Sequence, residues 1–176
     1  MTRNDPPEHD QHAISAYNRM MERVKSTLDN AEKNTLMNLR QGVEKAALLA
    51  EQLGELTRDE AERIGTYLQR DLQDAGKYLA ESGSDMRSWL RFDVELIEDR
   101  LLDLFSSVAD RTRLEWLELE QRAHEGPIYH SGEITGPGTL HCKACGQEMH
   151  FHATGHIPPC PNCHSSEFVR ADTAGS

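Results

Sequence analysis

Four cysteines near the end of the chain carry the clearest chemical signal in the sequence. They form two Cys-x-x-Cys pairs, Cys142 with Cys145 and Cys160 with Cys163, and 14 residues separate the pairs. Paired thiolates at this spacing are typical ligands of a tetrahedral zinc ion, which four sulfur atoms enclose completely. An enclosed ion has no bound water to activate. We therefore expect one structural zinc ion, with these four residues as its ligands.

Two alternative interpretations of the cysteines stay open. Cys-x-x-Cys is also a dithiol motif, and the two pairs could form switchable disulfides, but no βαβ pattern surrounds either pair. A redox switch that releases zinc is a further, less favoured hypothesis. Nearby histidines could instead give a mixed Cys/His sphere or a second ion. Hydrogen bonding or exposure to water is the better account, above all for His141 and His164, because four cysteines already complete the sphere. The nearby histidines are His141, His150, His152, His156 and His164.

The elements that must position the cysteines are short strands and turns. Gly146 follows the first pair and Pro161 lies inside the second, and both favour the tight turn that two ligands three residues apart require. Alternating polar and apolar residues predict strands, in which Phe151 and Phe168 form a small core. The predicted strands are Thr139–His141, His150–His152 and Glu167–Arg170. We place a zinc ribbon at residues 126–170 and a disordered tail at 171–176.

The preceding segment reads as helix, because it contains no proline between about His12 and Ala123 and its apolar residues recur at steps of three and four. We predict a first long helix that runs through a register slip and ends at Gly54, followed by a capping box at Thr57–Glu60 that opens a second helix. The apolar stripe of the first helix is Ile14, Tyr17, Met21, Val24, Leu28, Ala31, Leu36, Leu39, Val43, Ala46, Ala50 and Leu53. That of the second is Ala61, Ile64, Leu68, Leu72, Ala75 and Leu79.

A turn at Ser82–Asp85 precedes a third predicted helix, which could break near Asp110 and restart at a cap over Thr112–Glu115. Its stripe is Leu90, Val94, Ile97, Leu101, Leu104 and Val108. The predicted fold class is mainly α. A disordered tail at 1–11 precedes an acidic helical or coiled-coil domain at 12–125, arranged as a long antiparallel helical hairpin or a three-helix coiled-coil bundle, and the small β zinc ribbon follows.

The charge balance limits the partners of the chain. Thirty acidic residues against 19 Lys and Arg give a formal charge of −11, and the predicted ribbon contains only Lys143 and Arg170 as basic residues. Direct nucleic-acid binding is therefore expected to be weak unless those two and the histidines share one face, and anionic membranes are disfavoured. No apolar run approaches a membrane span and the first ten residues contain no apolar signal region, so we expect a cytoplasmic protein without membrane contact.

At this point the residues show a family likeness. The run Tyr129–Glu133, with Gly136, Gly138 and Leu140 ahead of the cysteine pairs, resembles the YbeL-like zinc-ribbon-containing family of uncharacterised bacterial proteins. The segments Gly54–Arg58, Arg70–Leu72 and Leu114–Trp116 are similar to helical parts of the same family, so the resemblance extends from about residue 14 to 170. It implies an N-terminal helical region, a four-cysteine zinc ribbon and the bacterial cytosol. It implies no agreed activity.

The motifs of enzymes are missing from the sequence, which has neither a glycine-rich phosphate loop nor a His-Glu-x-x-His pattern. We therefore expect no enzymatic activity. The leading hypothesis is a zinc-binding adaptor that binds a protein partner, its ribbon displayed by a helical arm. Tyr129, His130 and the loop Gly136–Gly138 either contact that partner or pack the ribbon against the helices.

Two other functions are alternatives. The acidic hairpin, with Glu55, Asp59 and Glu60 near its tip, or the ribbon could contact RNA polymerase or the ribosome and regulate transcription or translation, although acids in a first helical turn also serve capping. The heptads from Ile14 to Leu53 could instead pair between chains in a homo-oligomer. We also expect chelation of zinc to unfold residues 126–170 and to leave most of the helical signal, because the heptads need no metal.

Overall fold

The computed structural model of the chain describes residues 8–30, 39–82, 86–91, 94–118 and 127–170. Helices occupy the N-terminal part and short strands the C-terminal part, in the predicted order. The helices are α1 (Glu8–Asn30), α2 (Leu39–Gln52), α3 (Arg58–Ser82), α4 (Met86–Leu90) and α5 (Asp99–Glu118), with a 3-10 turn at Val94–Leu96. Of the described helices, none has both the length and the apolar character that crossing a bilayer requires.

The predicted apolar stripes form one helical core. Most of their members are buried together, including Tyr17, Val24 and Val43. Leu53 is exposed over 59% of its surface, and Ile14 is half-buried. Ala31 and Leu36 lie outside the described residues. Because each amphipathic helix buries one face against the others, the helices form a packed bundle rather than an extended arm.

The first predicted helix is in fact two helices that pack against each other. Arg23 on α1 donates hydrogen bonds to both carboxylate oxygens of Glu55, just beyond α2, with N–O distances of 2.8 Å. In one continuous helix these residues would lie about 48 Å apart, at about 1.5 Å per residue. A repeat of three and four identifies an apolar face but not a reversal of direction, which is why the register slip was interpreted as an irregularity within one helix.

The turn between α2 and α3 forms as predicted. Gly54 adopts a left-handed φ of 70°, which glycine tolerates without strain, and ends α2. The Thr57 amide donates to Oε2 of Glu60 at 2.8 Å, and the Glu60 amide donates to Oγ1 of Thr57 at 3.3 Å. The capping box is therefore confirmed in both directions.

The third predicted helix is interrupted, but not where it was expected. Arg91 has a φ of 62°, a conformation that ends α4 directly after Leu90. The 3-10 turn then leads into α5, which continues through Asp110 to Glu118 without the predicted break. The helix-ending position carries no glycine, so no residue type marks it in the sequence.

The ribbon consists of six short strands. They are β1 (Tyr129–His130), β2 (Ile134–Thr135), β3 (Gly138–Cys142), β4 (Glu148–Phe151), β5 (Gly155–His156) and β6 (Glu167–Arg170). Four of them form an antiparallel sheet in the order β1-β6-β3-β4, and β2 pairs with β5. Phe168 is fully buried and Phe151 packs against the same small core, as predicted.

The ribbon is docked on the helical bundle. Ile134 of β2 belongs to the helical core rather than to that of the ribbon. At the N-terminus, α1 begins at Glu8, inside the segment predicted to be a tail, and Asp10 lies 3.4 Å from Nε2 of His156 on β5. Residues 1–7 and the predicted tail 171–176 lie outside the described residues. The helices therefore hold the ribbon against their side instead of extending it away from them.

Candidate metal centre

The four cysteine side chains meet at one point of the ribbon. Their sulfur atoms all lie within 4.8 Å of one another. Cys142 and Cys163 have their sulfurs 3.5 Å apart, and Cys145 and Cys160 have theirs 3.6 Å apart. These distances exclude disulfides, in which the sulfurs lie about 2.05 Å apart. They are close to the separation of roughly 3.8 Å that a tetrahedral ion with zinc–sulfur bonds of about 2.3 Å requires.

Two equivalent turns present the cysteines. After the first pair, the amide of Gly146 donates to the carbonyl of Cys142 at 2.8 Å. After the second, the amide of His164 donates to the carbonyl of Cys160 at 2.9 Å. Gly146 and His164 both adopt left-handed φ angles, 76° and 61°. In each turn a left-handed residue brings the two cysteines onto the same side, which glycine does without strain and histidine at a small cost.

Electrostatics make the cluster a site for a cation. The Asn162 side chain and the Gln147 amide lower the pKa of Cys145 to about 6. The Ser165 amide favours the thiolate of Cys163, but hydrogen bonding with Cys145 and burial outweigh it and raise the pKa of Cys163 to about 12. The cluster thus favours the thiolate form of some cysteines and disfavours deprotonation of all four, because four negative charges this close repel one another. A bound divalent cation removes that repulsion.

The donor set fits zinc and completes its sphere. Among the described residues the cluster contains sulfur atoms alone, so no mixed Cys/His sphere forms. His141 instead lies 3.2 Å from a carboxylate oxygen of Glu148, and His164 is exposed in its turn. Four thiolates without an open position are the pattern of a structural site.

Comparison with known families agrees with this geometry. The model of a family described as "Zinc-ribbon containing domain" matches residues 26–172, which include the cysteine cluster and most of the helices. The chain belongs to this zinc-ribbon family. Together, the family and the cluster support one structural zinc ion in the protein.

Relatives within this family are known from Escherichia coli. Proteins named "Uncharacterized protein YbeL" from strain K12 and from strains O6:H1 and O157:H7 are each 33% identical over 132 residues, covering 73% of this chain and 79% of their own length. The expected YbeL-like membership is therefore confirmed. No solved structure matches the chain.

The other end of the ribbon holds a buried polar network that sequence reasoning missed. At its centre is Asp71 of α3, which is fully buried. One of its carboxylate oxygens accepts hydrogen bonds from the Tyr17 hydroxyl at 2.5 Å and from the Gly136 amide at 2.8 Å. The other lies 3.2 Å from Nε of Arg70 and 3.6 Å from Nη2 of Arg170. Helix α1, helix α3 and two segments of the ribbon thus share one carboxylate.

Arg170 is the main link from the ribbon into this network. Its guanidinium lies 4.9 Å from the ring centroids of both Trp89 and Tyr129, and it donates to Oγ1 of Thr135 at 2.6 Å. The Arg170 side chain is therefore buried, while Lys143 pairs with Glu167 at 3.0 Å at the cysteine end. The two basic residues of the ribbon do not share a face.

The loop residues proposed as partner contacts pack against the helices instead. Tyr129 is fully buried, and its hydroxyl donates to Oδ2 of Asp74 on α3 at 2.5 Å. A Cβ atom at Gly136 would lie 2.9 Å from the Tyr17 hydroxyl, and one at Gly138 would lie 3.1 Å from the Trp89 ring. His130, by contrast, stays half exposed beside Glu133. The small residues let the ribbon backbone approach the bundle closely, so the packing interpretation holds for Tyr129 and for both glycines.

Proposed function

We propose that this chain is a non-enzymatic, cytoplasmic zinc-binding adaptor whose ribbon presents its cysteine end to a protein partner. Cys142, Cys145, Cys160 and Cys163 are the proposed ligands of its structural zinc. The ion supplies cross-linking rather than catalysis, since four thiolates leave no position for a reacting group.

The observation that carries the proposal is the difference between the two ends of the ribbon. One end is committed to the bundle through Ile134, Tyr129 and Arg170. At the other end both cysteine turns project outward, and residues 143–147 and 161–164 are all exposed. We call this exposed surface the knuckle face. A rigid ribbon anchored at one end is suited to recognition at the other end, because little conformational entropy is lost when a partner binds it.

The charges favour a protein partner over a nucleic acid. On the knuckle face Lys143 is engaged with Glu167, and the Arg170 side chain lies buried at the opposite end. Phosphate recognition draws on several available Lys or Arg side chains, which this face does not offer. The face contains small, polar and ring residues instead, including Ala144, Pro161 and Asn162.

The contacts at the α2–α3 turn argue against the turn as the main interface. Of the three carboxylates placed near its tip, Glu55 is held by Arg23 and Arg19, and Glu60 caps α3. Only Asp59 remains exposed and outside these contacts. If the chain regulates transcription or translation by contact with RNA polymerase or the ribosome, we therefore expect that contact to be made by the knuckle face.

The test changes the knuckle face without changing the cysteines. Ala144→Arg places a long charged side chain on that face. Ala153→Arg makes the same substitution at another exposed position of the ribbon, in the turn between β4 and β5. Each protein is used as bait in nuclease-treated bacterial lysate, captured proteins are quantified, and zinc is measured in the same samples.

We expect a protein captured by the wild type and by Ala153→Arg to be lost with Ala144→Arg, while all three baits retain one zinc per chain. Capture that is equal for both variants would refute the knuckle face as the interface. Capture that occurs only in a parallel lysate without nuclease treatment would refute a direct protein partner.

A further inference from the structure

Two strands, β3 and β6, connect the cysteine cluster with the buried polar network around Asp71. Strand β3 begins at Gly138, against Trp89, and ends at Cys142. Strand β6 starts four residues after Cys163 and ends at Arg170. The two strands pair, with Cys142 opposite Phe168 and Leu140 opposite Arg170. Because β3 and β6 are hydrogen-bonded to each other, a structural change at the cysteines is transmitted along them to Gly138 and Arg170, which contact the bundle.

The core of the ribbon is too small to hold these strands without the cluster. It contains seven buried residues, and two of them are Cys142 and Cys160 themselves. Modules of this size depend on their metal for folding, because the apolar surface that they bury cannot offset the entropy of ordering the chain.

The bundle, in turn, depends on the ribbon for part of its packing. Trp89 stacks on Phe105 with ring centroids 5.2 Å apart, and its other contacts include Gly138 and the Arg170 guanidinium. The Thr139 hydroxyl also donates to the carbonyl of Leu90 at 2.7 Å. Without the ribbon, Asp71 would lose two of its four partners, the Gly136 amide and Arg170. The Trp89–Phe105 face and the Asp71 carboxylate would then both be exposed to water.

We propose that zinc at the cysteine cluster controls whether the ribbon stays docked, so that loss of the ion uncovers the Trp89–Phe105 face of the bundle. This inference rests on the proposed ligation of zinc by the four cysteines, but not on any partner. It makes zinc an effector of a surface on the helices, at the opposite end of the ribbon. By linkage, the docking contacts must strengthen zinc binding by the factor by which zinc strengthens docking.

Trp89 reports on the docked state directly. The chain contains two tryptophans, so a Trp116→Phe background leaves Trp89 as the single emitter. The full-length protein is treated with a chelator under reducing conditions, and zinc content and fluorescence are followed together. We expect the Trp89 emission to shift to longer wavelength as zinc is lost, and to return when zinc is added back.

Matched glycine variants test the reverse direction of the coupling. Gly136→Ala forces a methyl group against the Tyr17 hydroxyl and Phe105, whereas a Cβ atom at Gly155 meets its nearest neighbour at an ordinary 3.9 Å. We expect Gly136→Ala to weaken zinc affinity about tenfold in competition with a chromophoric chelator, and Gly155→Ala to change it less than about twofold. Arg170→Lys is a milder second variant, because it keeps the charge but loses the planar stacking on Trp89.

The outcomes separate this inference from the proposed function. A wild-type protein that binds no zinc refutes the ligation, and with it the adaptor. Zinc that is bound and removed without any change in Trp89 emission refutes only the control of docking. The reverse coupling is refuted if Gly136→Ala and Arg170→Lys shift the Trp89 emission yet bind zinc as tightly as the wild type.

Discussion

Individual residues of this chain differ sharply in how well the sequence reveals their roles. The cysteines were found from spacing alone, because both ligands of each pair belong to one turn and the geometry of the metal is local. The burial of Arg170 could not be predicted, because it depends on Asp71, Trp89 and Tyr129, which lie far from it in the chain. Long-range burial of a charge leaves no periodic pattern in the sequence.

A weaker signal for Asp71 was nevertheless present. It lies between Leu68 and Leu72, three residues from one and beside the other, and so borders the apolar stripe of α3. An acid at such a position is rarely tolerated unless it is paired. The closely spaced Gly136 and Gly138 gave the complementary signal of a close backbone approach. Neither signal identifies its partner, so the network itself required the structure.

Asp74 makes the stability of the docked state depend on pH. Burial raises the pKa of Asp74 to about 6, although the hydrogen bond from Tyr129 and the charge of Arg170 lower it in part. Between the ordinary value of 3.8 and about 6, the folded protein holds a proton that the unfolded chain has released. The free energy of unfolding therefore falls as pH rises through this window and levels off above it.

Asp74→Asn should remove this dependence, since an amide oxygen still accepts from Tyr129 but does not ionise. Between about pH 5.5 and about pH 7.5, the free energy of unfolding of the wild type should fall by about 1 kcal/mol more than that of the variant. Urea denaturation of the zinc-loaded proteins measures it, with zinc content checked at each pH. Asp103→Asn, at an exposed position of α5, is the matched control. Equal slopes for the wild type and Asp74→Asn would contradict the assignment.

At the level of elements, the prediction succeeded where a boundary has its own chemistry. Gly54 and the Thr57–Glu60 box carry their signals in adjacent residues, and both ends formed as predicted. The reversal between α1 and α2 was missed, since the apolar repeat continues on both sides of it. The end of α4 at Arg91 was missed because a left-handed arginine is rare.

The capping box of α3 gives a test of element stability. Thr57→Ala removes the hydroxyl that accepts from the Glu60 amide at 3.3 Å, and should lower the free energy of unfolding by about 1 kcal/mol. Thr66→Ala, on the exposed face of the same helix, should be neutral or slightly stabilising, because alanine has the higher helix propensity. Urea denaturation of zinc-loaded protein compares the two. A similar loss in both variants would show that the cap adds nothing beyond the helix itself.

At the scale of the whole molecule, the predicted class is correct: a mainly helical protein with a small β zinc ribbon. Of the two predicted helical arrangements the bundle is the one that forms, and it holds the ribbon against its side instead of displaying it on an arm. The expectation for chelation accordingly gains a second part. Far-UV helicity should remain largely intact, as predicted from the sequence, but the tertiary environment of Trp89 should change with the ribbon.

The same packing determines what remains for association between chains. The heptad residues that could have paired with a second copy, such as Leu28, Leu39 and Val43, are buried within one chain. On α2 and the turn that follows it, Leu48, Leu49 and Leu53 keep 53%, 40% and 59% of their surface exposed. Three partly exposed leucines supply far less than the roughly 800 Å² per partner of a standard interface.

We therefore expect a monomer near 19.9 kDa by sedimentation equilibrium at tens of micromolar, with zinc bound. A dimer that disappears in Leu49→Gln/Leu53→Gln would show that this small patch is enough for association after all. A dimer that survives the double substitution would mean that the chains associate through another surface, with the knuckle face the next to test. In either case, association would join finished bundles rather than build one from two chains, because the heptad core is already closed within each.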